Sequence, residues 1–338
     1  MSEKVKKFLN KIEKEYGKLP QDLHITRKAC ALVAISGGSV IMMEEPQIHH
    51  CPLFTSLFSY ENLDKSTIEK KFDRQVKDWG MFTCKRHVCD EKIIVPFGAS
   101  EMTMYALRRK NIDAAVVVCE GAGTVITAVE PGIVQGIGAY MNGLFYTTPI
   151  PDIITSLQNH NCIVLSPADA KMDQAEGVMR AAQSGYRRIA VTVRGDEEDA
   201  FYKIREIEKN KNIEVIILAV CNTAVSEKQA EIIKNYGDLA WACASKYIRD
   251  IAGPSALLQI GMKIPVFVLT DSGLDFISSY STDKFLMRKL NGINNKHYIT
   301  SNKFAPGSIK INMGNFSVYL YETEKLPIGT DDEPDPLI

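Results

Sequence analysis

Six consecutive apolar residues, Ala114 to Cys119, stop abruptly at Glu120-Gly121-Ala122-Gly123, and this junction constrains the chain more than any other stretch. A short, unalternating, β-branched run suits a strand buried on both faces, as in a parallel sheet covered by helices. The glycines let the backbone turn where a side chain would clash, and they leave room for a ligand. Ligands of open α/β sheets bind beyond the carboxyl ends of strands. A thiol, a carboxylate and a bare loop therefore reach a site position together.

The 338 residues are 45% apolar, enough for a large core. A formal net charge of −1 gives no general pull toward nucleic acid or anionic membrane. No apolar run approaches the ~18–20 residues needed to cross a bilayer, and the N-terminus lacks a secretory core. There, Val5, Phe8, Leu9, Ile12 and Tyr16 fall at helical spacing among lysines. That pattern fits a helix docked on the body, or one lying on a membrane surface. Eight cysteines in a chain read as cytoplasmic should be reduced, free to serve as core residues, ligands or nucleophiles.

An N-terminal region, residues 1–98, follows that helix with a β-hairpin turning at Ser36-Gly37-Gly38-Ser39. Ser66-Thr67-Ile68-Glu69 reads as a capping box opening a helix that runs to Trp79. Cys84, His87 and Cys89 sit in a polar loop, and residues 93–97 read as a short strand. The core, residues 99–300, alternates apolar runs (162–165, 189–193, 215–220, 239–243, 264–269) with amphipathic helices, one bracketed by Pro254 and Gly261. Strand starts 24–27 residues apart predict a mostly parallel doubly wound α/β sheet. Residues 301–325 alternate around Met313-Gly314-Asn315 as a second hairpin, which could pair with the first in one small sheet. Residues 326–338 are acidic and proline-containing, and read as a loose tail.

Strand ends supply the candidate chemistry. Cys119 would be a nucleophile stabilised as thiolate by the N–H groups of Gly121, Ala122, Gly123 and Thr124, which would also cradle an anion. Glu120 would be its acid/base, Arg194 and Ser245 would hold the ligand, and Asp271 would orient it. The loop lacks the third glycine of G-x-G-x-x-G and the Gly-Lys-Ser/Thr of a P-loop, so a plain hairpin turn fits it equally well. Metal or iron–sulfur ligation is a second explanation of the thiols. It would use Cys51 with His49 or His50, the Cys84-His87-Cys89 cluster, or Cys243, although no C-x2-C pair exists. A third is packing, the simplest account of Cys30 and Cys162. His160 and His297, set among polar residues, read as surface.

Ordered motifs tie these residues together: Cys51-Pro52-Leu53-Phe54, Trp79-Gly80-Met81-Phe82-Thr83, Phe97-Gly98-Ala99-Ser100-Glu101 and Val118-Cys119-Glu120-Gly121-Ala122-Gly123-Thr124. They continue through Gln135-Gly136-Ile137-Gly138, Thr148-Pro149-Ile150-Pro151, residues 171–178 and Trp241-Ala242-Cys243-Ala244-Ser245-Lys246. Over residues 28–275 the chain resembles the methanogenesis marker protein 8 family. The resemblance implies a cytosolic protein of anaerobic metabolism with no assigned activity, and it favours Cys51, Cys119 and Cys243 among the thiols. The expectation is an enzyme or cofactor-handling protein holding a small anionic molecule at the strand-end rim, with thiol- or metal-assisted chemistry. The alternative is a non-catalytic maturation factor docking on a metalloenzyme through Cys51 and its neighbours. Neither nucleic acid nor membrane is expected as a partner; a homo-oligomer is compatible.

Overall fold

A computed structural model describes residues 3–92, 95–141, 143–282 and 297–338. The N-terminal amphipathic segment forms α1 (Glu3–Tyr16) and buries Val5, Phe8, Leu9 and Ile12, so it is docked on the body. It lies on one face of an antiparallel sheet of β1 (His24–Lys28), β2 (Ala31–Ser36) and β3 (Ser39–Met43). Along β2 the side chains alternate, Leu32 and Ala34 packing toward α1. Val33 and Ile35 pack toward α2 (Pro52–Phe58) and α3 (Lys65–Trp79) on the other face. Helix α3 is capped two residues before the expected Ser66. Its cap is Asp64, whose side chain accepts from Thr67 N while Thr67 Oγ1 accepts from Asp64 N. Of the strand expected over 93–97, Ile93 and Ile94 lie outside the described residues, and 95–97 form none.

The remainder runs α4 (Ala99–Arg108), β4 (Ala114–Cys119), β5 (Gly123–Thr127), α5 (Pro131–Gly138), β6 (Leu144–Thr147), α6 (Pro151–Asn159), β7 (Ile163–Val164) and α7 (Gln174–Gln183). It continues with β8 (Arg188–Arg194), α8 (Glu198–Lys211), β9 (Glu214–Val220), α9 (Glu227–Tyr236) and β10 (Leu239–Trp241). Then come β11 (Leu258–Ile260), β12 (Val266–Val268), α10 (Asp271–Ser278), β13 (His297–Ser301), β14 (Ile309–Met313) and β15 (Phe316–Thr323). Strand β6 leaves the main body to become the fourth strand of the small sheet, against β1. The others form an eleven-stranded sheet ordered β14-β15-β13-β11-β12-β10-β9-β8-β4-β5-β7. Along β4, Ala115, Val117 and Cys119 enter one core with α4, α5 and α6, while Ala114 and Val116 enter the other with α7. Burial on both faces is what the unalternating run of apolar residues required.

The sheet is mixed, and the expected mostly parallel winding holds only at its centre. Strands β4, β8, β9 and β10 run parallel. Around them β5, β7, β12 and β15 pair antiparallel with their neighbours, and β11 with β13 is parallel again. The reason lies in connection length. A parallel crossover needs a dozen or more residues, whereas β4–β5 and β11–β12 are joined by three and five (Glu120–Ala122 and Gly261–Pro265), so each pair folds back on itself. Gly261, at φ +75°, opens the second of these turns rather than ending a helix. The chain before it makes only a π-helical turn, Ile248–Ala252, and a single 3-10 turn.

The second hairpin exists as β14–β15, but it extends the large sheet and does not join the first. Nor is the C-terminal segment loose. Leu326 is buried, Ile328 N donates to Gln259 Oε1 (2.9 Å), and Asp335 bridges the backbone of His50. Ile338 exchanges backbone hydrogen bonds with Ala244 and Lys246. Glu333 pairs with Arg249 Nε at 3.1 Å, and Nη1 of the same guanidinium donates to the carbonyls of Cys243 (2.8 Å) and Ser245 (3.0 Å). The acidic residues thus meet fixed partners that composition could not reveal. Glu333→Ala should cost about 1–3 kcal/mol in denaturant unfolding, below the ~3–5 kcal/mol of a fully buried pair because Glu333 keeps some solvent.

Candidate functional site

The carboxyl ends of β4, β8, β9 and β10 share one edge, and the small sheet with α2 and α3 faces it across a crevice of ≈ 980 Å³. That volume is at the upper end for small-molecule sites. Lys28 from β1 and Lys71 from α3 line one side; Arg194, Cys221 and Cys243 at the ends of β8, β9 and β10 line the other. Apolar wall is supplied by Phe54, Tyr140, Met141 and Trp241.

The two lysines set the electrostatics. Lys71 is 1% exposed, and its Nζ has no hydrogen-bond partner among the described residues. It stands 4.0 Å from the centroid of the Phe72 ring, and Lys28 Nζ stands 4.7 Å from that of Phe54. Burial, with the like charge of Lys28 added, holds the Lys71 ammonium well below the ordinary lysine pKa. Burial also lowers Lys28, opposed by the thiols of Cys51, Cys243 and Cys221. Among the described residues neither lysine has a carboxylate partner. An unpaired buried ion costs several kcal/mol.

Arg194 is committed elsewhere. Its Nε donates to Asp196 (2.5 Å), its Nη1 donates to the Leu144 carbonyl (2.6 Å) and forms an ion pair with Glu197 (3.1 Å), and its guanidinium lies over Phe145. Burial works against its charge, and Glu197 and Asp196 more than restore it, raising its pKa. It is at the rim as expected, but already neutralised.

Cys221 (φ +56°) and Cys243 (φ +48°) both sit in the left-handed region at the ends of adjacent strands. Non-glycine residues held there store strain of order 1–3 kcal/mol, a feature that clusters at ligand sites. Burial, then Cys243, pushes the Cys221 thiol up to about 12. Burial also raises Cys243. Both are protonated in the free protein. With Cys51, just before α2, they group around Lys28 within electrostatic reach.

Several sequence-derived candidates are placed differently. Cys119 points into the core, fully buried, and donates to the Glu120 carbonyl (3.2 Å). Burial and the neighbouring Glu120 carboxylate push its thiol well above the ordinary range, so it is no resting thiolate. Glu120 is fully buried against Arg86, whose Nε donates at 2.6 Å. The glycine loop is the tight β4–β5 turn, and its donors are spent. Gly121 N donates to Thr147 Oγ1, Ala122 N to Cys119 O and Thr124 N to Lys171 O. A Cβ on Gly123 would meet the Ala170 carbonyl oxygen at 2.2 Å, so backbone fills the space reserved for a ligand.

Asp271 opens α10 after the reversed strand β12, at the opposite edge of the sheet; its neighbour Thr270 donates to Asp238 at the start of β10. Ser245 is buried and caps the π-helical turn through Ile248 N. The four thiols expected as metal ligands are dispersed. Cys51 and Cys243 lie near Lys28, Cys84 is exposed, and Cys89 meets Glu130 and His160 instead. His160 is accordingly half-buried and engaged rather than a free surface side chain.

Cys221 belongs to the strand-end rim as its place after an apolar run implies, whereas motif spacing did not single out Lys28, Lys71, Glu130 or His160 for a site. For Lys71 a signal existed: the buried stripe of α3 reads Ile68, Lys71, Phe72, Gln75, which sets a lysine where an apolar residue belongs. For the Cys89, Glu130 and His160 group there was none, since its members lie 41 and 30 residues apart.

Two expectations follow from the buried polar groups behind the rim. Arg86→Met should destabilise by about 3–5 kcal/mol, because it strands the Glu120 charge, and adding Glu120→Met should recover much of the loss. Equilibrium denaturation of the single and double variants measures both. His24, buried against Thr147 Oγ1 (2.7 Å), is pushed down by burial to about 4 from 6.5. The unfolded chain therefore binds a proton that the folded chain refuses. Stability should be level in this respect above pH 6.5 and fall by up to roughly 3 kcal/mol as pH drops toward 4. His24→Gln should lose that slope.

Among the described residues no helix is long and apolar enough to cross a membrane. A family model described as "Uncharacterized protein conserved in archaea (DUF2099)" matches residues 24–281, which include both lysines and every thiol named above. The "Uncharacterized protein MJ0054" of Methanocaldococcus jannaschii is 36% identical over 276 residues, 82% of this chain and 95% of that one. The chain belongs to this archaeal DUF2099 family.

Proposed function

We propose that the protein binds a small molecule bearing an oxyanion, a phosphate or carboxylate, in the crevice at the strand-end rim. The observation that carries this reading is the pair of lysines, Lys28 and Lys71, lining one cavity, neither in an ion pair among the described residues and Lys71 Nζ without a hydrogen-bond partner. An oxyanion would take hydrogen bonds from both and remove their mutual repulsion, while the aromatic and methionine wall would receive an apolar body. Cys221 and Cys243 border the same space, and the Lys28 ammonium, within their electrostatic reach, would offset a thiolate formed there. An enzyme that activates a thiol against the bound molecule is the reaction class this favours. The motif resemblance supports membership of the methanogenesis marker protein 8 family and a place in anaerobic, methanogen-type metabolism, in the cytoplasm.

A second reading starts from three thiols, Cys51, Cys221 and Cys243, each within electrostatic reach of Lys28, although their sulfurs do not all lie within 4.8 Å of one another. A metal or iron–sulfur cluster would deprotonate those thiols, and the ammonium would offset the resulting negative charge. That arrangement fits a maturation factor passing metal to a metalloenzyme. Iron and sulfide analysis with a visible spectrum after anaerobic purification separates the two: a colourless, metal-free protein leaves the oxyanion reading.

Thermal unfolding with inorganic phosphate, pyrophosphate or citrate, at constant ionic strength, tests the preferred reading. The wild-type midpoint should rise with at least one of them, stabilisation following the ligand-linkage relation and reaching about 2.7 kcal/mol at a hundredfold excess over Kd. Lys71→Met and Lys28→Met should each lose the response. Free Lys71→Met should also be no less stable than wild type near neutral pH, because it removes an uncompensated charge. In wild type, stability should climb with pH toward ~10.5, since a lysine of lowered pKa binds its proton better unfolded. Equal responses in wild type and both variants would sink the reading.

A further inference from the structure

Apart from the crevice, one cluster brings three different ligand types together. Cys89, in the loop before α4, donates from Sγ to Glu130 Oε1 at 3.1 Å. His160, the residue closing α6, approaches Glu130 Oε2 with Nδ1 at 2.6 Å. Glu130 itself is the residue preceding α5. One sulfur, one oxygen and one nitrogen thus lie within 4.8 Å of one another, on three segments far apart in the chain. None of the three lines the crevice.

We propose that Cys89, Glu130 and His160 form a binding site for a thiophilic divalent cation of the zinc class. The donor set carries the argument. Thiolate, imidazole and carboxylate are the three side chains zinc uses, and a site with three protein ligands leaves a fourth position for water or substrate. Calcium or magnesium would want oxygen ligands only. The backbone under each ligand is already held: Asp90 N donates to Gly132 O (3.1 Å), Ile133 N to Glu130 O (3.1 Å), and His160 N to Ser156 O and Leu157 O. The first turn of α5 is cut away to let the sulfur in, since a Cβ on Gly132 would stand 2.8 Å from Cys89 Sγ. Access is open as well, the side chains of His160 and Glu130 being 35% and 40% exposed. Asp90 and Glu91 add negative charge around the thiol.

On binding, the cation displaces the thiol proton to solvent and takes the place of the two hydrogen bonds that Glu130 makes in the free protein. Binding should therefore tighten as pH rises. Because Gly138 at the far end of α5 and Ala139 and Tyr140 just beyond it line the crevice, a metal here would brace one wall of it from outside.

The test uses the full-length protein, stripped with chelator and titrated with Co²⁺, then with Zn²⁺ in competition. One equivalent of Co²⁺ should give a thiolate-to-cobalt band in the near ultraviolet and visible bands of tetrahedral cobalt. Cys89→Ser should abolish the thiolate band and weaken binding by more than the ~10–100-fold that loss of an outer-shell partner costs. His160→Ala should weaken binding comparably, while Cys51→Ser and Cys243→Ser keep the band. No thiolate band, or one that persists in Cys89→Ser and disappears with the rim thiols, overturns the proposal. A footprint on the wild type needs no variant to fold. Zn²⁺ should slow iodoacetamide labelling of Cys89 at least tenfold and leave exposed Cys84 unchanged; equal labelling rates with and without Zn²⁺ count against the site.

Discussion

The buried pair of Arg86 and Glu120 holds the two halves of this structure in register. Glu120 is the first residue after the central strand β4, and Arg86 belongs to the loop that follows α3. Besides the carboxylate, the guanidinium donates to the carbonyls of His87 (2.9 Å) and Gly136 (2.9 Å), so loop, strand end and α5 are fastened at one point. Buried ion pairs contribute little net stability against an apolar replacement. What this one supplies is geometry: with it in place, α3 faces the rim, and Lys71 faces the cavity. Thr147 adds a second fastening, its hydroxyl bonded to His24 of the small sheet and to Gly121 N of the turn.

The crevice follows from that docking. A parallel centre brings the ends of β4, β8, β9 and β10 to one edge, as such sheets do, and the small sheet covers the edge without filling it. The chemistry at the rim is then sorted by burial. Groups beneath the surface, Cys119 and Glu120, are neutralised or paired, and they brace the site. Groups facing the cavity, Lys28 and Lys71, have no ion-pair partner among the described residues, and burial lowers the pKa of both. The same low polarity that lowers the lysines raises the thiols of Cys221 and Cys243. The cavity-facing side chains are therefore thiols and lysines whose charged forms burial disfavours.

Much of this was legible in local pattern. The run Ala114–Cys119 reads as a doubly buried strand because nothing in it tolerates water, and the docked α1 is visible in Val5, Phe8, Leu9 and Ile12. Rim membership of Arg194, Cys221 and Cys243 follows once their strands are known to be parallel. Direction failed at β12, since a five-residue link and a helical link look alike when only apolar runs are counted, and Asp271 moved to the far edge with it. The glycine loop failed as a cradle because its donors were already taken by Thr147 and Lys171, which are distant in the chain. Lys71 could have been found from its place in the apolar stripe of α3. The cluster of Cys89, Glu130 and His160 could not.

The sequence alone determined most of the strands and helices, because burial period, capping and turn preference act over a few residues; the stretch from Pro254 to Gly261, read as a helix, instead contains β11. It also determined that thiols would gather at strand ends. Tertiary structure decided which of those thiols face a cavity, which carboxylate is spent on an arginine, and which lysines are left without a partner. Those outcomes depend on strand direction and on long-range partners, and a buried charge acquires its energy only from what surrounds it in space.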